Sequence, residues 1–213
     1  MVHVYHHRRA WTDKIRGDHD KVKIMRCIGF FLFALWLSGC TAQFMQHKTV
    51  GDIPMRLPGV SFVPPGEEGW TIYQSPDSNE VSFGQFLSDQ NTNVILVNVF
   101  RLDTDLSDRE FLSNFQATLD KRGPTPRYEI VTKNYIPQYF KQATCLEYNV
   151  VIADHLVNNK IVTSGYGYRH PEEPNLIVVF EVTQRSQSQL LSPRLTELSE
   201  RFFEQINFVT PEK

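Results

Sequence analysis

Residues 92–102 read TNVILVNVFRL, and this stretch decides the fold. At the period of two that a strand imposes, Val94, Leu96, Asn98 and Phe100 point one way and Ile95, Val97, Val99 and Arg101 the other. Both sets are apolar in the middle, so the strand is expected to be covered on both faces. A sheet built around it therefore needs a layer above and a layer below.

The sequence offers two amphipathic helices as those layers. Ser107-Asp108-Arg109-Glu110 is a capping box, followed by Phe111, Leu112, Phe115 and Leu119 on one face and by a Lys121-Arg122-Gly123-Pro124 stop. Ser192-Pro193 starts the second, with proline at the first helical position and Leu195, Leu198, Phe202 and Ile206 as its stripe. Short strands are expected at Val60–Val63, Trp70–Tyr73 and Glu80–Phe83, read together as a small meander. Longer ones are expected at Tyr128–Tyr139, with a bend at Pro137, and at Ala143–Ile152, Ile161–Arg169 and Leu176–Thr183. Asp154-His155, Asn158-Asn159 and His170–Pro174 suit the turns between them. The expected class is α+β, a largely antiparallel sheet covered by two helices in an αβα sandwich. Val60-Ser61-Phe62-Val63-Pro64-Pro65, Gly69-Trp70, the single helix after the first half of the sheet and the closing helix together resemble the PsbP-like and DcrB-like sandwich superfamily over Leu57–Val209. The resemblance implies a binding or assembly module with no shared catalytic residues.

Upstream, charge is unevenly spread. Residues 1–26 hold seven Lys or Arg against three acids, and residues 27–39 (CIGFFLFALWLSG) hold none. The rest carries 15 basic and 21 acidic residues, a net −6, although the 213-residue chain as a whole is only −2. An apolar run of 13 is too short to span a bilayer, but a basic flank and small residues at its end suit a secretory signal. Leu37-Ser38-Gly39-Cys40 resembles the lipobox of bacterial lipoproteins. The resemblance implies cleavage between Gly39 and Cys40 and acylation of Cys40, palmitate included, with the acyl chains seated in the lipid bilayer. Thr41 follows where an aspartate would resemble an inner-membrane address, so a periplasm-facing position at the outer membrane is implied. Met25-Arg26 offers an internal start for a compact signal. The expected organisation is residues 1–39 as leader and signal, 40–56 as a lipidated tether, and 57–213 as the folded domain. The 16 residues after Cys40 in that tether, 41–56, reach at most roughly 55 Å.

Chemistry is sparse. Apolar residues make up 41% and charged residues 22%, with no basic footprint for nucleic acid. No P-loop, G-x-S-x-G or H-E-x-x-H pattern is present. Beyond residue 39 the histidines are His47, in the tether, His155, in a turn where Asp154 is expected to bond the local backbone, and His170, expected in an exposed, solvated loop beside Glu172 and Glu173. Too few ligands are available for zinc, and no metal or cofactor is expected. Cys145 is read as a small buried hydrophobe, with a mixed disulfide to a partner as its functional alternative. Tyr166-Gly167-Tyr168 is the candidate ligand face, because two rings share one side of a strand around a bare backbone; core packing of those rings is the competing expectation. The leading expectation is a membrane-tethered, non-catalytic binding or assembly module of the cell envelope, with an unidentified envelope protein as partner. The alternatives are a small-ligand carrier and an envelope hydrolase using His155 or His170.

Overall fold

A computed structural model describes residues 53–74, 78–121 and 125–210. The strands are β1 (Met55–Leu57), β2 (Val60–Phe62), β3 (Thr71–Tyr73), β4 (Glu80–Ser88), β5 (Asn91–Arg101), β6 (Tyr128–Phe140), β7 (Ala143–Asp154), β8 (Asn159–Arg169), β9 (Leu176–Ser186) and β10 (Asn207–Phe208). The described helices are α1 (Asp108–Asp120) and α2 (Pro193–Glu204). Seven strands form one antiparallel sheet in the order β3-β4-β5-β9-β8-β7-β6; β1, β2 and β10 form a second, small sheet. This is an α+β sandwich, largely antiparallel, with a helix on each side of the large sheet.

β5 sits where its two apolar faces require. It pairs with β4 along one edge and with β9 along the other, from Thr92↔Arg185 to Arg101↔Leu176. Ile95, Val97 and Val99 are buried on the α2 side, where they join Val178, Phe180 and Val182 of β9. Leu96 is buried on the α1 side, where Val94 stays exposed. Because β9 takes the place beside β5, the chain leaves β5 through α1, reaches the far edge at β6, and returns by three hairpins.

Both helix starts follow their local chemistry. Ser107 N–H donates to Glu110 Oε2 at 3.0 Å and Glu110 N–H donates to Ser107 Oγ at 3.3 Å. Ser192 Oγ accepts from Leu195 N–H at 3.3 Å, with Pro193 behind it. A buried polar chain also ties α2 to the sheet. Ser192 N–H donates to Gln184 Oε1 (2.8 Å), Gln184 Nε2 to Asn93 Oδ1 (3.1 Å), and Asn93 Nδ2 to Gln85 Oε1 (3.0 Å). Phe202 of α2 then meets Phe62 at 5.7 Å between ring centres, and Phe62 meets Phe83 and Phe180 edge-on at 6.3 Å each.

Several expectations need correction. Residue 56 is not the end of a tether: Met55 and Arg56 already pair with Phe62 and Ser61 in β1. The first three short strands are not one meander, because β2 belongs to the small sheet and only β3 and β4 pair with each other. Pairing runs straight through Pro137↔Leu146, and the irregularity in β6 lies between Ile130 and Thr132. Ile206 is buried but lies beyond α2. The expected stop of α1 at residues 122–124, and the signal, lipobox and His47, lie outside the described residues.

β8 divides its side chains by face. Tyr166 and Tyr168 face α2, and Gly165 and Gly167 face α1. A methyl group at Gly167 would stand 2.4 Å from the ring of Phe115 in α1, and one at Gly165 would stand 2.6 Å from Tyr148 Cζ. We expect Gly167→Ala to lower the unfolding free energy by about 2 kcal/mol. Phe115→Leu should recover part of that loss, giving a coupling of about 1 kcal/mol in a urea-unfolding double-mutant cycle. Strictly additive effects would show that the two residues do not meet.

Candidate functional site

His170 directly follows the last residue of β8 and, contrary to its expected place in a solvated loop, is buried. Its Nδ1 accepts two backbone N–H groups, from Glu172 (3.2 Å) and Glu173 (3.1 Å). That leaves Nε2 as the protonated nitrogen, donating to Gly59 O at 3.0 Å. Phe208 meets the ring edge-on at 5.4 Å. Both nitrogens are thus committed to backbone, and the residue ties the β1–β2 turn to the β8–β9 turn. Nothing in this arrangement leaves a nitrogen to take a proton from a substrate.

His155 stands at the opposite end of the sheet, exposed, with Nε2 3.1 Å from Glu129 Oε2. Its neighbour Asp154 is the structural residue, and it bonds the local backbone as its turn position predicts: Oδ1 accepts from Leu156 N–H at 3.1 Å. The carboxylate is fully buried and held by Arg127 through two bonds (2.9 and 2.7 Å) and by Arg185 at 3.1 Å. The Arg127 hydrogen bonds, aided by the Arg127 charge, the Leu156 amide and the Arg185 charge, hold its pKa below the ordinary carboxylate range against the opposing effect of burial.

The candidate ligand face is filled. Tyr168 is buried, packed edge-on against Phe180 (5.8 Å) and Phe208 (5.5 Å) and stacked on Tyr166 (5.8 Å). Tyr166 in turn meets Phe203 of α2 at 4.6 Å. The backbone at Gly167 is not bare, since Phe115 lies against it. Cys145 is buried in the same core, and desolvation, with Glu147 nearby, pushes its thiol pKa up to about 12.

Two arrangements had no signal in the sequence. Glu67 bridges Arg194 (2.8 Å) and Arg201 (3.1 Å) of α2 across more than a hundred residues, beside a cleft of about 280 Å³ under Pro64, Pro65 and Leu198. On the α1 side of the sheet, Glu80 accepts from Asn98 Nδ2 (3.1 Å) and Glu181 accepts from Tyr148 Oη (2.6 Å). Burial, with the charge of Glu181 adding to it, raises the Glu80 pKa. Among the described residues no group of three or more His, Cys, Asp or Glu could hold a metal ion, and no helix is long and apolar enough to cross a membrane.

No family model matches the sequence, and neither does any curated protein. Solved structures do match its fold. LpqN, described as involved in cell envelope biogenesis of Mycobacterium tuberculosis, aligns over 77% of this chain and 91% of its own at 12% identity, with a TM-score of 0.50. The Ran-binding protein Mog1p of Saccharomyces cerevisiae aligns over 75% of this chain and 96% of its own at 12% identity, with a TM-score of 0.45. The LpqN likeness is one of fold.

Two outcomes are expected from the buried groups. Cys145 should resist a thiol reagent in the folded protein at pH 8 and react within the dead time in urea; fast native labelling would place it on the surface. Asp154→Asn should cost about 3 kcal/mol at pH 7. Because the folded pKa of Asp154 is depressed, its contribution is complete above the unfolded value near ~4. It disappears as pH falls through the lower folded value. Urea titrations should therefore show wild type and variant converging below about pH 4. A difference that persists undiminished in acid would mean that the carboxylate charge is not what the two arginines hold.

Proposed function

We propose that this protein is a lipid-anchored, non-catalytic binding or assembly module of the bacterial cell envelope, facing the periplasm from the outer membrane. The observation that carries the reading is Leu37-Ser38-Gly39-Cys40 directly after the charge-free run 27–39. One acyl chain anchors a protein only marginally, whereas the several chains that lipoprotein processing adds hold it stably. Thr41 in place of an aspartate supports the outer-membrane address. The non-catalytic part of the reading is supported by the state of the candidate groups. His170 has both nitrogens bonded to backbone, the Cys145 thiol is buried, and His155 and its neighbour Glu129 are exposed to solvent. LpqN, which shares the fold, is described as involved in envelope biogenesis, and its likeness supports the reading to that extent.

The test is mass spectrometry of the protein purified from membranes of the source cells. The expected mature chain begins at Cys40 and carries acyl chains on that residue, and Cys40→Ala leaves the precursor unprocessed. An unmodified thiol at position 40, or cleavage elsewhere, overturns the anchor and the location together. Hydrolysis of an ester or peptide library that disappears in His155→Ala, with the fold intact, overturns the non-catalytic reading.

A further inference from the structure

The two ends of the large sheet differ in chemistry. At one end lie the β4–β5, β7–β8 and β9–α2 connections, drawn together by Asn159 Nδ2 donating to Gln90 O at 3.0 Å and by the Lys160↔Ser186 pairing. Five of the ten exposed large apolar side chains among the described residues are here: Phe86 (72% exposed), Leu87 (54%), Leu156 (72%), Val157 (36%) and Leu190 (75%). Residues 86–91, 155–159 and 186–192 (FLSDQN, HLVNN and SQSQLLS) contain one fixed charge, Asp89. Connections on a surface are ordinarily where charge concentrates, and these carry Leu, Phe, Ser, Gln and Asn in its place.

The apolar tips stand on fixed supports. Leu87 is the extra residue between Phe86↔Thr92 and Ser88↔Asn91, so two consecutive apolar residues are exposed at the end of β4. Leu156 N–H is held by Asp154, itself clamped by Arg127 and Arg185. Leu190 is framed by Ser188, whose Oγ accepts from Leu190 N–H (3.0 Å) and donates to Leu190 O (2.9 Å). Exposed apolar side chains on three separate connections, each with its backbone held, suit a fluid apolar layer better than a pocket-seeking ligand.

Charge selects the partner. The fixed charges at this end are Arg127, Lys160, Arg185 and Arg194 against Glu67, Glu68, Asp89, Glu129 and Asp154, close to balance. The opposite end carries Asp103, Asp105, Asp108, Glu110, Glu172, Glu173 and Glu204 against Arg101, Arg109, Lys141 and Arg169, an excess of acid. In a chain with a net −6 beyond residue 39, the nearly balanced apolar end is the one an anionic bilayer repels least. The route of the chain agrees. The β1–β2 turn is fastened to the acidic end through Gly59 and His170, so the chain enters β1 from the other direction. The 12 residues between Cys40 and Ile53 reach about 40 Å at most.

We infer that Phe86, Leu87, Leu156, Val157 and Leu190 seat this end of the sheet on the lipid surface, with the acidic end turned away from it. The inference rests on the anchored reading only for bringing the domain to the bilayer. Trp70, buried in the core, is the single tryptophan beyond residue 39, and with Trp11 and Trp36 replaced by phenylalanine an introduced tryptophan reports over one internal background. Leu156→Trp, Leu190→Trp and, at the acidic end, Glu172→Trp are made in the full chain. They are placed with brominated phosphatidylethanolamine vesicles containing phosphatidylglycerol as the minor component, by reconstitution if the chain is acylated and by mixing if it is not. Loss of the anchor and loss of the seat are therefore separate results. The expected result is blue-shifted emission and about twofold quenching at 156 and 190, with none at 172. Leu156→Asp combined with Leu190→Asp, at an unchanged melting midpoint, should abolish the quenching of a reporter at Phe86→Trp. Emission at 156 and 190 as water-exposed as at 172 overturns the inference, and so does protection that comes only with added envelope proteins, which would make this end a protein-binding surface.

Discussion

The pairing of β5 with β9 is the constraint on which the remaining structure depends. β5 presents apolar side chains on both faces, so it cannot lie at an edge or leave a face to water without exposing part of that set. Pairing it to β9, which is close to the end of the domain, buries both strands at the centre and fixes the order of the others. The chain between them must then go out to the far edge and come back. α1 makes the outward journey across one face, and the hairpins of β6, β7, β8 and β9 make the return. The Phe62–Phe83–Phe180–Phe202 cluster forms on the other face because β9 has brought Phe180 beside the β4–β5 pair.

The division of β8 into a glycine face and a tyrosine face follows from the same arrangement. A helix laid across a sheet needs close approach at some point, and Gly165 and Gly167 provide it for the rings of Tyr148 and Phe115. The tyrosines face the side where α2 and β10 have apolar side chains to offer. A motif that draws the eye as two aromatics around a flexible residue is thus explained by the thickness of two layers, each matched to what packs on it.

Local chemistry made much of the fold legible. The Ser107–Glu110 box, the Ser192-Pro193 start and the alternation in residues 92–102 act within a few residues of themselves, and each appears where its pattern placed it. β1 and β10 were not legible, because strands of three and two residues exist only through pairing with β2, and no period shows in so short a run. His170 was misread for a related reason. Its neighbours Glu172 and Glu173 look solvated in sequence, but the burial comes from Gly59, Leu176 and Phe208, which the fold brings in from elsewhere. Of the candidate site, the turn role of Asp154 and the burial of Cys145 could be read from residue type and context. The Glu67–Arg194–Arg201 bridge could not, since nothing in sequence links those positions.

With both faces of the central strands spent on packing, recognition falls to edges and ends. The long edge is β6, opposite the three-residue β3, and it carries its own protection. The two-residue turn at Lys141-Gln142, with both residues at positive φ, makes Phe140 and Ala143 a hydrogen-bonded pair. Hydrogen-bonded pairs then alternate along the strand, so the nitrogen of Pro137 falls on the side away from β7. There it interrupts the row of donors that an incoming strand would use. The register shift near Val131 interrupts the row again toward the other end. Addition of a further strand is disfavoured for most of the length of β6. What the molecule leaves for contact are its two ends, one acidic and closed by the His170 tie, the other nearly balanced in charge and tipped with leucine and phenylalanine.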